Sequence, residues 1–151
     1  MASTEKRTHT VLVVDDNADL LHAITEALTL LGNFAVVNAR DGVEGIHRFY
    51  ESRPDCAIID IKMPGLNGYQ LVRAVRGDPE TAATPLVILT AMSQERDTFD
   101  GLAAGADLYL TKPIAPHELA RAVLRAIQTS EGDREQRLRA LMEESLPESE
   151  T

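Results

Sequence analysis

The chain has 151 residues, room for one domain and a short appendage, and carries 24 Asp+Glu against 15 Lys+Arg for a formal net charge of −9. That balance argues against direct nucleic-acid binding, which needs clustered Lys and Arg, and no apolar run approaches the ~20 residues of a membrane span. Residues 1–10 lack an apolar signal core and the lone Cys56 cannot form an internal disulfide, which suits a reducing cytoplasm.

The first predicted element is a strand, Thr10 to Val14, β-branched and continuous as a strand covered on both faces should be. Leu20, Leu21, Ile24, Leu28 and Leu31 then repeat at helical spacing, and Gly32-Asn33 closes that helix. Phe34 to Ala39 is a second strand, followed by an Asp41-Gly42 turn and a helix over Val43 to Tyr50, weakened by Gly45. Cys56 to Ile59 is a third strand and Tyr69 to Arg76 a third helix, with Leu71, Val72 and Val75 facing inward. Pro85 to Leu89, Glu95 to Ala104 (closed by Gly105), Leu108 to Leu110 and Pro116 to Gln128 complete two more strand–helix units. The last helix turns Leu119, Val123 and Ile127 inward. Cys56 reads as a small buried hydrophobe, and His22, His47 and His117 as solvated helix residues without metal-ligand spacing.

Five strand–helix units in series predict an α/β fold, a parallel sheet with helices on both faces. In such sheets ligands sit outside the carboxyl ends of the strands, so the residues there are the candidates. Asp15-Asp16 ends the first strand, Asp60 the third and Thr90-Ala91 the fourth, and the fifth runs into Lys112-Pro113. Three converging carboxylates repel one another, and a hard divalent cation relieves that repulsion. An all-oxygen site suits Mg²⁺, with Mn²⁺ as an alternative, and a backbone carbonyl near Lys62 could add a ligand. One neutralised carboxylate could then attack phosphorus, with the Lys112 ammonium and Thr90 hydroxyl neutralising the transferred group's oxygens.

These residues resemble the receiver domain of two-component response regulators. The resemblance rests on Val13-Val14-Asp15-Asp16-Asn17, the run from Asp60 to Gly68, Leu89-Thr90-Ala91, and the run from Gly105 to Pro113. Four such segments in order, 44, 30 and 22 residues apart counted from Asp16 through Asp60 and Thr90 to Lys112, are specific together where each alone is weak. The resemblance implies a flavodoxin-like sheet of order 2-1-3-4-5 spanning residues 10–128, after a flexible 1–9 and before an acidic, partly helical 129–151. It implies that Asp60 accepts a phosphoryl group from a sensor histidine kinase or phosphotransfer protein. Asp15, Asp16, Asp60 and the Lys62 carbonyl would hold the metal. Thr90 and Tyr109 would form the switch, Lys112 would pair with the phosphoryl group, and the Lys112–Pro113 bond would be cis. Side chains at Lys62 and Met92 would govern how readily water reaches that group. The surface of the fourth helix, fifth strand and fifth helix would meet a downstream protein, with a homodimer left open and no contact with membrane. The protein would catalyse only its own phosphorylation and dephosphorylation. Aspartyl-phosphate enzymes of the haloacid dehalogenase type generally need a second Asp where Lys62 stands.

Residues 129–151 hold 7 acids and 3 bases, a net −4 against −5 for the rest, and a boundary is expected near Thr129–Asp133. Asp133 could cap a last helix carrying Leu138, Leu141, Met142 and Leu146 and ended by Pro147. That helix could pack back on the domain, pair with a second copy or serve a further module. Three functions stay open: a receiver acting alone on a partner, the N-terminal receiver of a longer regulator (transcription factor, cyclase or hybrid kinase), and an interaction module independent of phosphorylation.

Overall fold

Continuous β-branched runs alternating with amphipathic stretches fold as their periodicity demands. In the computed structural model, which describes residues 8–145, the elements are β1 His9–Val14, α1 Ala18–Leu31, β2 Phe34–Ala39, α2 Gly42–Ser52, β3 Cys56–Ile59, α3 Gly68–Gly77, β4 Leu86–Thr90, α4 Glu95–Ala104, β5 Leu108–Thr111 and α5 Pro116–Ser145. All strand pairs are parallel, in the order β2-β1-β3-β4-β5. This is the flavodoxin-like arrangement expected from the sequence.

Alternate residues of each strand point to opposite faces and build two cores. Val11, Val13, Ile58, Val87 and Leu89 pack with Leu21, Ile24 and Leu28 of α1 and Leu119, Val123 and Ile127 of α5. Leu12, Val14, Ile59 and Ile88 pack with Phe49 of α2 and Leu71, Val72 and Val75 of α3. Gly45 does not merely weaken α2. A Cβ there would stand 3.2–3.3 Å from Leu71 and Val14, so its absence lets the helix lie close on the sheet. Cys56 is fully buried, and His22, His47 and His117 are exposed.

Three helices begin on side-chain caps. Asn17 accepts from the Leu20 N–H at 3.1 Å and Asp41 from the Glu44 N–H at 2.8 Å, while Asn67 and Gln70 form a reciprocal capping box. α1 ends at Gly32, whose extended backbone leaves the Phe34 ring in the place a side chain would occupy.

One boundary differs from expectation. α5 does not stop at Gln128 and restart at Asp133; it runs unbroken from Pro116 to Ser145, with Asp133 inside it. A helix already held by Leu119, Val123 and Ile127 tolerates one glycine for ~1 kcal/mol, whereas restarting would incur the nucleation cost again. Beyond the sheet the helix touches the domain sparingly. Ser130 Oγ donates to the Ala83 carbonyl at 3.4 Å, and His9 Nε2 lies 3.7 Å from Glu131 Oε1. Leu138, Leu141 and Met142 are exposed, and the expected Leu146 and Pro147 lie outside the described residues. Among the described residues no helix is long and apolar enough to cross a membrane.

Candidate functional site

Parallel register brings the expected residues to one edge of the sheet. The ladder holds their backbones in place: the Asp15 N–H donates to the Ala39 carbonyl, the Asp60 N–H to the Val14 carbonyl and the Lys112 N–H to the Thr90 carbonyl, at 3.0, 3.0 and 2.8 Å. Asp15, Asp60 and Thr90 are buried, while Asp16 is exposed at the rim. One carboxylate oxygen from each of Asp15, Asp16 and Asp60 falls within 4.8 Å of the others, an all-oxygen cluster of the kind a hard divalent cation takes.

Lys112 reaches into this cluster from the end of β5, past a cis Lys112–Pro113 bond. Its Nζ donates to Asp15 Oδ2 at 2.8 Å and to Asp60 Oδ2 at 3.0 Å. Burial, the largest single influence, would lower the Lys112 pKa, but the hydrogen bonds and the negative charges of the two carboxylates together outweigh it and the ammonium is held above its ordinary value. Asp15 behaves oppositely. Burial, with the Asp60 charge beside it, holds its carboxyl above the usual range despite the Lys112 ammonium and the Asn17 N–H. The second oxygens are also used: Asp15 Oδ1 accepts from the Asn17 N–H at 2.9 Å and Asp60 Oδ1 from the Lys62 N–H at 3.3 Å.

The loop after β3 folds back tightly over the strand end. Gly65 supplies a positive φ of 74°. At Gly68 a Cβ would stand 2.4 Å from the Asp60 carbonyl oxygen, so a larger residue would push α3 off the strand end. The exposed Lys62 side chain lines an open groove with Asp16, Met63, Asn67, Tyr69 and Met92. A larger groove of about 800 Å³ lies at the opposite pole, between His9, Tyr50, Pro54 and Leu138, away from the carboxylates.

Thr90 and Tyr109 stand beside the cluster rather than in it. Thr90 Oγ accepts from the Met92 N–H at 3.4 Å, and the Tyr109 hydroxyl donates to the Met92 carbonyl at 2.7 Å. Both switch candidates therefore hold the same residue of the β4–α4 loop. Tyr109 is half-buried against α4, and burial, with Tyr69 and two acids nearby, pushes its hydroxyl up to about 12. Leu108 is half-buried against the α1/α5 core.

Three acids, two of them buried, a reaching lysine and a threonine at the next strand end thus share one edge of the sheet. The response regulator receiver domain family matches residues 11–124. This chain belongs to the response regulator receiver family. The receiver is 37% identical over 113 residues to Protein PilH of Pseudomonas aeruginosa, covering 75% of this chain and 93% of PilH. It is 42% identical over 118 residues to the probable transcriptional regulator ycf27 of Guillardia theta, covering 76% of this chain and 45% of that one. The receiver thus spans about half the length of several curated relatives that it matches. The structure of the chemotaxis response regulator CheY4 of Vibrio cholerae superposes with a TM-score of 0.74 at 31% identity, over 80% of this chain and 99% of that one. As a family, such receivers are signalling domains of two-component systems that work with histidine kinases and effectors, and bind Mg²⁺ at an acidic pocket.

Two contributors have no signal in the sequence. Tyr69 donates its hydroxyl to the Asp97 carbonyl of α4 at 3.3 Å. Arg76 binds the carbonyls of Gly105, Ala82 and Thr84 and the Asp107 carboxylate at 2.6–2.9 Å, tying α3 to the starts of β4 and β5. The Tyr69 partner lies 28 residues away, and the Arg76 partners Gly105 and Asp107 lie 29 and 31 residues away, beyond the reach of any local pattern.

Proposed function

We propose that Asp60 is the phosphoacceptor of a two-component signalling pathway, taking its phosphoryl group from a sensor histidine kinase or a phosphotransfer protein. The observation that carries this reading is the Lys112 ammonium shared between Asp15 and Asp60 at the strand ends. One Asp60 oxygen forms the new O–P bond while the N–P bond of a phosphohistidine breaks, and the departing imidazole takes up a proton. Lys112, already above its ordinary pKa, stays charged and turns from the carboxylate to the arriving phosphoryl oxygens. Thr90 donates its hydroxyl to one of those oxygens. Asp15, Asp16, Asp60 and the Lys62 carbonyl would hold Mg²⁺ (or Mn²⁺), which when bound supplies charge neutralisation that the phosphoryl transfer needs. The chain catalyses nothing beyond its own phosphorylation and dephosphorylation, and acts in the cytoplasm.

The phosphoryl group adds nearly two negative charges, and whichever conformer lets Thr90 and Lys112 reach it best gains population. Thr90 and Tyr109 meet at Met92, so the change passes to α4, β5 and α5, where Phe99, Leu102 and Leu124 are exposed toward a downstream protein partner or a second copy. A second reading, in which the receiver governs a further module of the same polypeptide, is favoured by the continuation of α5 past the sheet, where Leu138 and Leu141 are exposed.

Incubation with acetyl phosphate and Mg²⁺ should add the mass of one phosphoryl group to the chain. Asp60→Asn should abolish that gain, and EDTA should prevent it. An Asp60→Asn chain that is labelled like the parent would overturn the reading.

A further inference from the structure

α5 carries its buried face past the structure that covers it. Leu119, Val123 and Ile127 lie on one stripe of the helix and are buried against the sheet. Steps of three and four residues continue that stripe through Ser130 to Leu138 and Leu141. There the sheet has ended, and Leu138 and Leu141 are 59% and 63% exposed. A stripe that is core-facing at the root of the helix thus runs on as an open apolar edge.

The space beside this edge is the groove of about 800 Å³ at the pole opposite the carboxylate cluster. Its floor is apolar and closed: Phe49, Pro54, Pro85 and Ile127 line it and are all buried. Two of the four are prolines, which bring no N–H to the floor. One wall is α5 itself, with Glu131, Glu135 and Leu138. The other is made by the α2–β3 and α3–β4 loops, with Arg53, Asp55 and Glu80. Arg53 is paired with Glu80 at 3.9 Å, and His9 Nε2 lies 3.7 Å from Glu131, so the basic groups of the groove already face its acids. Asp55 accepts from the Thr10 N–H at 2.8 Å. Four carboxylates against one guanidinium and one imidazole leave both walls acidic. A trough with an apolar floor and a helix for one wall is the setting in which a second amphipathic helix lays down its apolar face.

We propose that this groove is a docking surface for an amphipathic helix of a partner protein, apolar on the face that meets Leu138 and the proline floor and rich in Lys or Arg along its flanks. The continuing stripe of α5 supplies the apolar contact, and the acidic walls set the sign of the partner's charge. A helix flanked by acids would meet Glu80, Glu131 and Glu135 with like charge and be rejected. The groove lies at the pole away from Asp60, so the inference stands whether or not Asp60 is the phosphoacceptor.

The full chain should bind a synthetic helical peptide with leucines at i, i+3, i+4 and i+7 and lysines elsewhere. Backbone amide shifts should move in residues 53–55, 80–85 and 127–139, and affinity should fall as salt is raised. A twin peptide with glutamates in place of the lysines should not bind. Leu138→Ser and Glu135→Lys change exposed positions outside the core, and each should weaken binding about tenfold. Phe99→Ala, on the exposed side of α4, should leave it unchanged. Shifts confined to α4 or to the carboxylate edge, equal binding of the two peptides, or binding of neither would overturn the proposal. Sedimentation equilibrium separates out a second copy of this chain as the occupant. A monomer supports the proposal, whereas a dimer that Leu138→Ser dissociates would overturn it.

Discussion

The two helical layers of this receiver are fastened by different means. On one face α1 sinks Leu21, Ile24 and Leu28 into the sheet and α5 sinks Leu119, Val123 and Ile127. On the other, α3 sinks Leu71, Val72 and Val75 and α2 sinks Phe49, but α4 fully buries only Gly101, packs a half-buried Ala104 and is steadied by two tyrosine hydroxyls. Apolar burial is non-directional and tolerates small displacements, whereas a hydrogen bond at its length limit is lost by them. The layer of α1 and α5 is therefore the stiffer of the two, and α4 the part that moves most readily against it.

The largest effect that tests this contrast is Leu28→Ala in α1. The side chain is wholly buried, so its removal should lower stability by about 2–5 kcal/mol, read from urea unfolding. A loss below about 1 kcal/mol would mean that α1 is not the anchor described here.

A middle-sized effect concerns the site between the two layers. The Asp15 carboxyl is held above its ordinary 3.8, chiefly by burial. The metal-free native state therefore binds this proton more tightly than the unfolded chain does. Stability is fully present below 3.8, falls as pH rises through the raised native value, and stays reduced at neutrality. Asp15→Asn should flatten that fall and stabilise the metal-free chain at pH 7, read from urea unfolding across that pH range. The same variant should lose most of the thermal protection given by added Mg²⁺. A metal-free Asp15→Asn chain less stable than its parent would show that the Lys112 pairing outweighs burial.

The smallest effect is expected on α4. Phe99→Ala removes a large side chain that covers little, and stability should stay within about 0.5 kcal/mol of the parent. A larger loss would place α4 in the core and erase the contrast.

Much of this was legible in the sequence because parallel topology is a strong constraint. Once β-branched runs and helical stripes alternate five times, all strand carboxyl ends share one edge, and Asp15, Asp16, Asp60 and Lys112 must converge there. Thr90 was legible as a strand end, but its link through Met92 to Tyr109 was not, because it runs through backbone groups that every residue has. Tyr69 reads as an ordinary aromatic in the first turn of a helix, and only the packing of α3 beside α4 gives its hydroxyl a partner. The unbroken α5 was hidden for a different reason. Gly132 and the polar stretch around it look like a terminator locally, while the cooperativity that carries the helix through is stored a turn or two earlier, at Val123 and Ile127.

That continuous α5 has a mechanical meaning. Thirty residues at a rise of ~1.5 Å each make a rod of about 45 Å, the last 17 of them past Gln128, and its root is packed on the sheet. Its intact hydrogen-bond ladder gives the projecting part no joint at Gly132. A small rotation of the packed root is thus delivered, magnified by distance, to Leu141 and Met142 at the far end. The same domain that holds a charge cluster at one pole carries a lever at the other.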